Sequence, residues 1–191
     1  MCRILKAMLI IAIGTTMGLH TAEAHGDTLW TRTFGGTVDD WGCSVQECEG
    51  GGFIIAGETN SFGAGGDVYL IRTNERGNTL WTKTFGGTNY DEGWSVQECA
   101  GGGFIIAGKT GSFGAGDDAD VYLIRTDAAG DTLWTKTYGG TDYDCSYSVQ
   151  ECAGGGFIIA GGTIPFFGAG AYDVYLIRTN EQGDTLWTRT F

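Results

Sequence analysis

The chain has 191 residues, of which 35 are glycine and one is proline; 13% are aromatic and the formal net charge is −12. That composition is too apolar for a disordered segment and too rich in glycine for helices, so it describes a globular β protein. A surface this acidic excludes nucleic acid as a partner, because such binding rests on neutralised phosphates.

Residues 1–24 stand apart. Arg3 and Lys6 precede an apolar run from Ala7 to Leu19, and Ala22-Glu23-Ala24 offers a small-x-small cleavage site. This pattern predicts a secretory signal peptide, and with it a mature domain from 25 to 191 that is secreted or held at a cell surface. The alternative, a membrane anchor, needs about 20 apolar residues, and the run is shorter and is interrupted by Gly14, Thr15 and Thr16. No other segment is apolar enough to span. Both histidines, His20 and His25, lie in or beside this segment. The rest of the chain therefore lacks the base that Ser-His-Asp and Cys-His catalysis need, and the imidazoles of histidine-type zinc sites.

From residue 28 onward the text repeats, with Trp30, Trp81, Trp134 and Trp187 in matching positions, as are Phe53, Phe104 and Phe157. An extra TLWTRTF strand at 28–34 comes first, followed by units 35–85, 86–138 and 139–191. Each unit carries four strand signals in order: SVQEC (44–48, 95–99, 148–152), FIIAG plus two residues (53–59, 104–110, 157–163), DVYLIRT (67–73, 120–126, 173–179) and TLWT[KR]T[FY] (79–85, 132–138, 185–191). Glycine runs join the first two strands. Asn74-Glu75-Arg76-Gly77 and its counterparts join the last two, as a type I turn followed by a left-handed glycine. Tight hairpins of this kind make each unit a four-stranded antiparallel sheet. FIIA and VYLI do not alternate with polar residues, so both faces of the sheet are covered and the sheets stack. The prediction is an all-β, propeller-like array of three blades plus one N-terminal strand. A β-solenoid is the runner-up, but its coils are shorter and lack sharp hairpins.

The string GGTNYDEGWSVQECAGGGFIIAGKTGSFGAGDDADVYLIRTDAAGDTLWTKTYGG resembles the repeat of secreted bacterial β-propeller proteins, with GG-x-x-x-D-x-G-x-S-V-Q and D-V-Y-L-I-K-T-D-x-x-G-x-x-x-W text. The likeness covers essentially all of 26–191. It implies the propeller fold in an exported, often surface-attached protein, from a family largely of unassigned function. The Gly130-to-Trp134 ending also resembles the tryptophan-docking blades of quinoprotein-type propellers, although Asp127 falls one residue closer than in that motif.

Every change in repeat length falls between strands two and three, where Thr59 to Asp67 is shorter than Thr110 to Asp120 and Thr163 to Asp173. Strands alternate in direction, so this loop shares a face with the loop from strand four to the next strand one. Insertions on one face point to a binding side. The candidate ligand-face residues are Trp41, Tyr90, Glu92, Tyr143, Asp117 and Asp118. Asp40, Asp91 and Asp144 form one acidic column, and Asp67, Asp120 and Asp173 another. Such carboxylates could hold Ca²⁺, or each could hydrogen-bond its own loop, as Asp commonly does. Faithful recurrence favours the second. Glycoside hydrolysis needs one distinguished pair of acids, and none is singled out.

Cys48, Cys99 and Cys152 share a column, and Cys43 and Cys145 stand alone; neighbouring blades are too far apart for the column to be cross-linked. Buried thiols acting as small apolar residues are the expectation, with a thiolate metal ring on the axis as the alternative. Trp81, Trp134 and Trp187 are expected to cover the joins between blades. Arg72, Arg125 and Arg178, with Lys83, Lys136 and Arg189, are expected to be solvated edge charges.

Three units fall short of the four to eight blades of closed propellers, and Phe191 lacks the Gly-Gly that follows its counterparts. The sequence thus predicts either an incomplete array or closure by self-association. The expected function is a secreted, non-enzymatic module that binds an extracellular protein or glycan. The alternative is part of a propeller enzyme, a quinone-dependent dehydrogenase or a glycosidase.

Overall fold

The computed structural model describes residues 29–164 and 172–191; the expected signal peptide, 1–24, lies outside the described residues. Twelve strands follow one another without a helix among these residues. The first blade comprises β1 (Asp40–Glu47), β2 (Phe53–Thr59), β3 (Asp67–Thr73) and β4 (Thr79–Phe85). The second comprises β5 (Asp91–Glu98), β6 (Phe104–Thr110), β7 (Asp120–Thr126) and β8 (Thr132–Tyr138). The third comprises β9 (Asp144–Glu151), β10 (Phe157–Thr163), β11 (Asp173–Thr179) and β12 (Thr185–Thr190). Each blade is an antiparallel four-stranded sheet in sequence order, so the expected all-β array of blades is what forms.

The last three strands of every unit begin at the residues that the sequence marks. The first strand does not. It begins at Asp40, Asp91 and Asp144, four residues earlier than SVQEC, which turns that acidic column from loop residues into strand openers. The cause is a β-bulge. Gly42 and Ser44 face Gly57 and Ala56, leaving Cys43 as the extra residue, and Trp94 and Tyr147 are extra at the same place in the next two blades. A bulge lets pairing continue past a residue that would otherwise break the register.

Blades stack face to face with β1, β5 and β9 side by side. The second blade, covered on both sides, buries all of Phe104–Gly108 and Asp120–Ile124. In the first blade Asp67–Ile71 is likewise buried throughout, but Phe53 and Ile55 are only half-buried; in the third blade Ile158 and Leu176 are half-buried and Val174 is exposed, because each end blade has a single neighbour. Two apolar clusters fill the joins: Ile54, Val68 and Leu70 meet Val96 and Ile106, and Ile105, Val121 and Leu123 meet Val149 and Ile159.

The tryptophans close the outer edge of each join. Trp81 lies 5.9 Å from Phe104 and Trp134 5.9 Å from Phe157, ring centre to ring centre. Gly130 has φ +79° and a Cβ there would come within 2.9 Å of the Trp81 ring, so glycine serves the turn and the tryptophan contact together. Of the N-terminal strand copy, residues 29–34 pair with no sheet, since no third strand stands beside them. Trp30 nevertheless sits 5.8 Å from Phe53, in the position of the other tryptophans.

The charges on the third and fourth strands are not simply solvated. Arg72 donates to the Gly51 carbonyl at 2.7 Å and also reaches the Thr73 carbonyl; Arg125 and Arg178 make the same bonds to Gly102 and Gly155 at 2.6 Å. The planar guanidinium fork clamps the glycine hairpin to the end of the third strand. Lys83 and Lys136 form ion pairs with Asp131 at 2.7 Å and Asp184 at 2.9 Å in the following blade. Arg189 lies over the Trp187 ring.

Candidate functional site

The loops from strand two to three and from strand four to one share one face, as expected, and the first acidic column fastens them together. Thr110 donates to Asp91 Oδ1, while the Ser112 hydroxyl and the Gly87 N–H reach Oδ2 at 2.7 and 2.9 Å. Thr59, Ser61 and Gly36 serve Asp40 in the same way, and the Gly140 N–H serves Asp144 at 2.8 Å. Burial pushes the Asp40 carboxyl up, but the bonds from Thr59, Ser61 and Gly36 outweigh it and hold the group below the ordinary value.

The second column caps the other loop, with Ala64 N–H donating to Asp67 at 2.9 Å and Ala115 N–H to Asp120 at 2.7 Å. Asp173 opens β11 beside residues outside the described set. Ca²⁺ takes six to eight oxygens, and among the described residues no three His, Cys, Asp or Glu side chains gather as a metal site. Each carboxylate of the first column accepts hydrogen bonds from its own loops.

The site emerges where the repeats differ. Column 41/92/145 reads Trp, Glu, Cys; column 43/94/147 reads Cys, Trp, Tyr; column 58/109/162 reads Glu, Lys, Gly. All three lie at the loop end of the inner strands, and between the second and third blades they converge. Glu92 and Lys109 face each other across the β5–β6 pair, with Nζ 2.9 Å from Oε1. The indole N–H of Trp94 donates to Glu92 Oε2 at 2.9 Å. Lys109 Nζ lies 5.4 Å from the Trp94 ring centre and 5.5 Å from that of Tyr143, within cation–π reach of both.

Aromatic rings extend the cluster outward. The Tyr147 ring lies parallel to Trp94, 5.1 Å between centres and 5° between planes, and Tyr172 meets Tyr143 edge-on at 5.9 Å. The bulge is what makes the stack possible, because Trp94 and Tyr147 are both the extra residues that it turns out of the regular pleat. Burial works to lower the Lys109 pKa, but the Glu92 hydrogen bond and charge prevail and raise it, so the ammonium stays charged. Tyr147, Tyr172, Tyr90 and Trp41 are exposed.

Of the sequence candidates, Glu92 and Tyr143 belong to this cluster. Trp41 and Tyr90 are exposed elsewhere on the same face, Tyr90 lying against Gly66, and Asp117 and Asp118 are exposed in the longer loop. Lys109, Trp94, Tyr147 and Tyr172 were not singled out by the sequence. Their signal was departure from the repeat rather than recurrence in it.

The cysteines among the described residues are free thiols, with Cys48, Cys99 and Cys145 buried. Cys48 and Cys99 sit inside the two apolar clusters, and burial first of all pushes the Cys99 thiol up to about 11. They pack as small apolar residues.

No family model matches the chain. It is similar to regulatory protein FlaEY of Caulobacter vibrioides, with 25% identity over 210 residues that take in 92% of this chain and 22% of that protein. The chain thus spans about a fifth of the length of that relative.

Proposed function

We propose that this chain is an exported, non-catalytic repeat module that binds an extracellular protein or glycan on the face carrying the Glu92–Lys109–Trp94–Tyr147 cluster. The export part of this reading rests on the N-terminal charge, apolar run and small-residue site. The binding part rests on one observation. In repeats otherwise nearly identical, three inner-strand columns that differ between units, 41/92/145, 43/94/147 and 58/109/162, meet between the second and third blades, and they supply stacked aromatic rings, that of Tyr147 exposed, beside a fixed ion pair. Rings that are apolar on their faces and rigid, set beside a few oriented polar groups, are what recognition surfaces use. A fold requirement, by contrast, recurs in every blade.

The test compares wild type with Tyr147→Ala on a glycan array and against immobilised extracellular proteins. Removing the exposed ring lowers affinity by about tenfold or more, the ratio that 1.4 kcal/mol gives, and leaves the thermal midpoint nearly unchanged. Full binding by Tyr147→Ala together with loss in Tyr90→Ala would move the site to another part of the face.

A further inference from the structure

Two faces that are buried at each internal join lie open at the two ends of the row of blades. Val68 and Val121 are buried against the next blade, yet their counterpart Val174 is 52% exposed. Val96 and Val149 are buried against the preceding blade, yet their counterpart Val45 is 65% exposed. Ile158 and Leu176 are half-buried where their equivalents in the other blades are fully enclosed. The open face of the first blade holds an apolar groove of about 280 Å³ lined by Trp30, Phe34, Val45, Phe53, Ile55 and Thr73.

Residues 29–34 indicate what covers that face. Trp30 packs on Phe53 as Trp81 packs on Phe104, and Arg32 reaches Asn78 at 3.4 Å as Lys83 reaches Asp131. They therefore stand where the outer strand of a preceding blade would stand, but with no blade behind them. Their text is also that of β12: DTLWTRTF reads identically at 27–34 and at 184–191. Unlike β4 and β8, β12 is exposed along its whole length.

We propose that the chain binds a second copy of itself head to tail. The open face of the third blade in one copy stacks on the open face of the first blade in the next, and residues 29–34 of that next copy take the place of β12 beside β11. The stacked faces carry the columns that already fit each other at the two internal joins. Without strand exchange, Trp187 of one copy and Trp30 of the other would compete for Phe53. With it, β11 keeps an outer strand of unchanged sequence, and the apolar end faces leave water. A head-to-tail contact is heterologous, so it closes into a ring or continues as a filament according to its rotation. The inference stands apart from the ligand reading above.

Sedimentation velocity on the purified chain tests it, using wild type, Val45→Asp and Val174→Asp, alone and mixed. Both valines are exposed in the single chain, so neither charge enters its core. Wild type is expected to sediment as two chains or more. Each variant alone is expected to be monomeric, since it keeps one competent end, and an equimolar mixture is expected to restore a two-chain species. A monomeric wild type at micromolar concentration overturns the proposal whatever the variants do. So does a variant that associates alone, or a mixture that stays monomeric. Deleting residues 185–191 leaves association intact if the strands exchange, and its loss on that deletion overturns the exchange.

Discussion

Asp120 Oδ1 is buried with no hydrogen-bond partner, and it is turned toward the carboxylate of Asp144 in the next blade across Gly139. A Cβ on Gly139 would collide with Asp120 Oδ1 and lie 2.5 Å from Asp144 Oδ2, so glycine is what lets the two acids close in. Asp67 and Asp91 stand in the same relation across Gly86. Burial first, and then the charge of Asp144, raises the Asp120 carboxyl above its ordinary value.

Asp120→Asn therefore stabilises the chain at neutral pH. The amide keeps the Ala115 bond through its oxygen and offers an N–H to Asp144, for a gain of about 1 kcal/mol. Because the carboxyl value is raised on folding, the folded chain takes up a proton before the unfolded chain does. Stability contributed by Asp120 thus grows as pH falls through its folded value and is complete below the ordinary 3.8. The advantage of the variant should be greatest near neutrality and shrink on acidification; thermal midpoints across that range check it, and an advantage that grows with acid would contradict it.

Arg125→Ala removes a fork that holds the carbonyls of Gly102, Phe104 and Thr126. The charge-assisted bonds lost make the cost about 2 kcal/mol. Arg125→Lys should recover less than half of it, because an ammonium cannot reproduce the planar geometry. Urea unfolding of the three proteins measures the difference, and full recovery by lysine would mean that charge alone matters.

Trp134 and Trp187 share a column but not a neighbour. Trp134 packs on Phe157 across a join, so Trp134→Ala costs about 3 kcal/mol. Trp187 is exposed, and Trp187→Ala costs no more than about 0.5 kcal/mol, as surface changes do. Equal costs in chemical denaturation would show that the tryptophans act within their own strands rather than across blades.

Thiol reactivity separates the cysteines. Cys43 is exposed, whereas Cys99 is buried with its thiol pushed up to about 11. At mildly alkaline pH an aromatic disulfide reagent should modify Cys43 before unfolding and Cys99 only after it. Loss of the early phase in Cys43→Ser confirms the assignment; its survival would reassign the phase to another cysteine.

Much of the fold is legible in the sequence because hairpins are local. Asn74 to Gly77 and its two counterparts specify a turn within a few residues, and the six strands that follow those turns and the glycine runs, β2, β4, β6, β8, β10 and β12, start where these place them. The first strands were read four residues too short because Asp40, Asp91 and Asp144 are residue types that favour loops, and the bulge that lets pairing reach them has no turn signature of its own. The arginines were read as edge charges because nothing nearby in the sequence shows that the Gly51, Gly102 and Gly155 carbonyls lie within reach.

The candidate site was legible only in part. Glu92 and Tyr143 drew notice as acidic and aromatic residues in a loop, but Lys109 looks ordinary until β6 is laid beside β5, and Trp94 meets Tyr147 only when one blade is stacked on another. By itself, then, the sequence determined the repeat, the hairpins and the burial of FIIA and VYLI, since turn dihedrals and strand-length apolar runs are properties of neighbouring residues. Only the tertiary structure decided which side chains from different blades share a space. That depends on the stagger of one sheet on the next, fixed by packing between residues more than fifty positions apart such as Trp94 and Tyr147, and on the bulge that redirects those two side chains, fixed by the pairing of β5 with β6 and of β9 with β10.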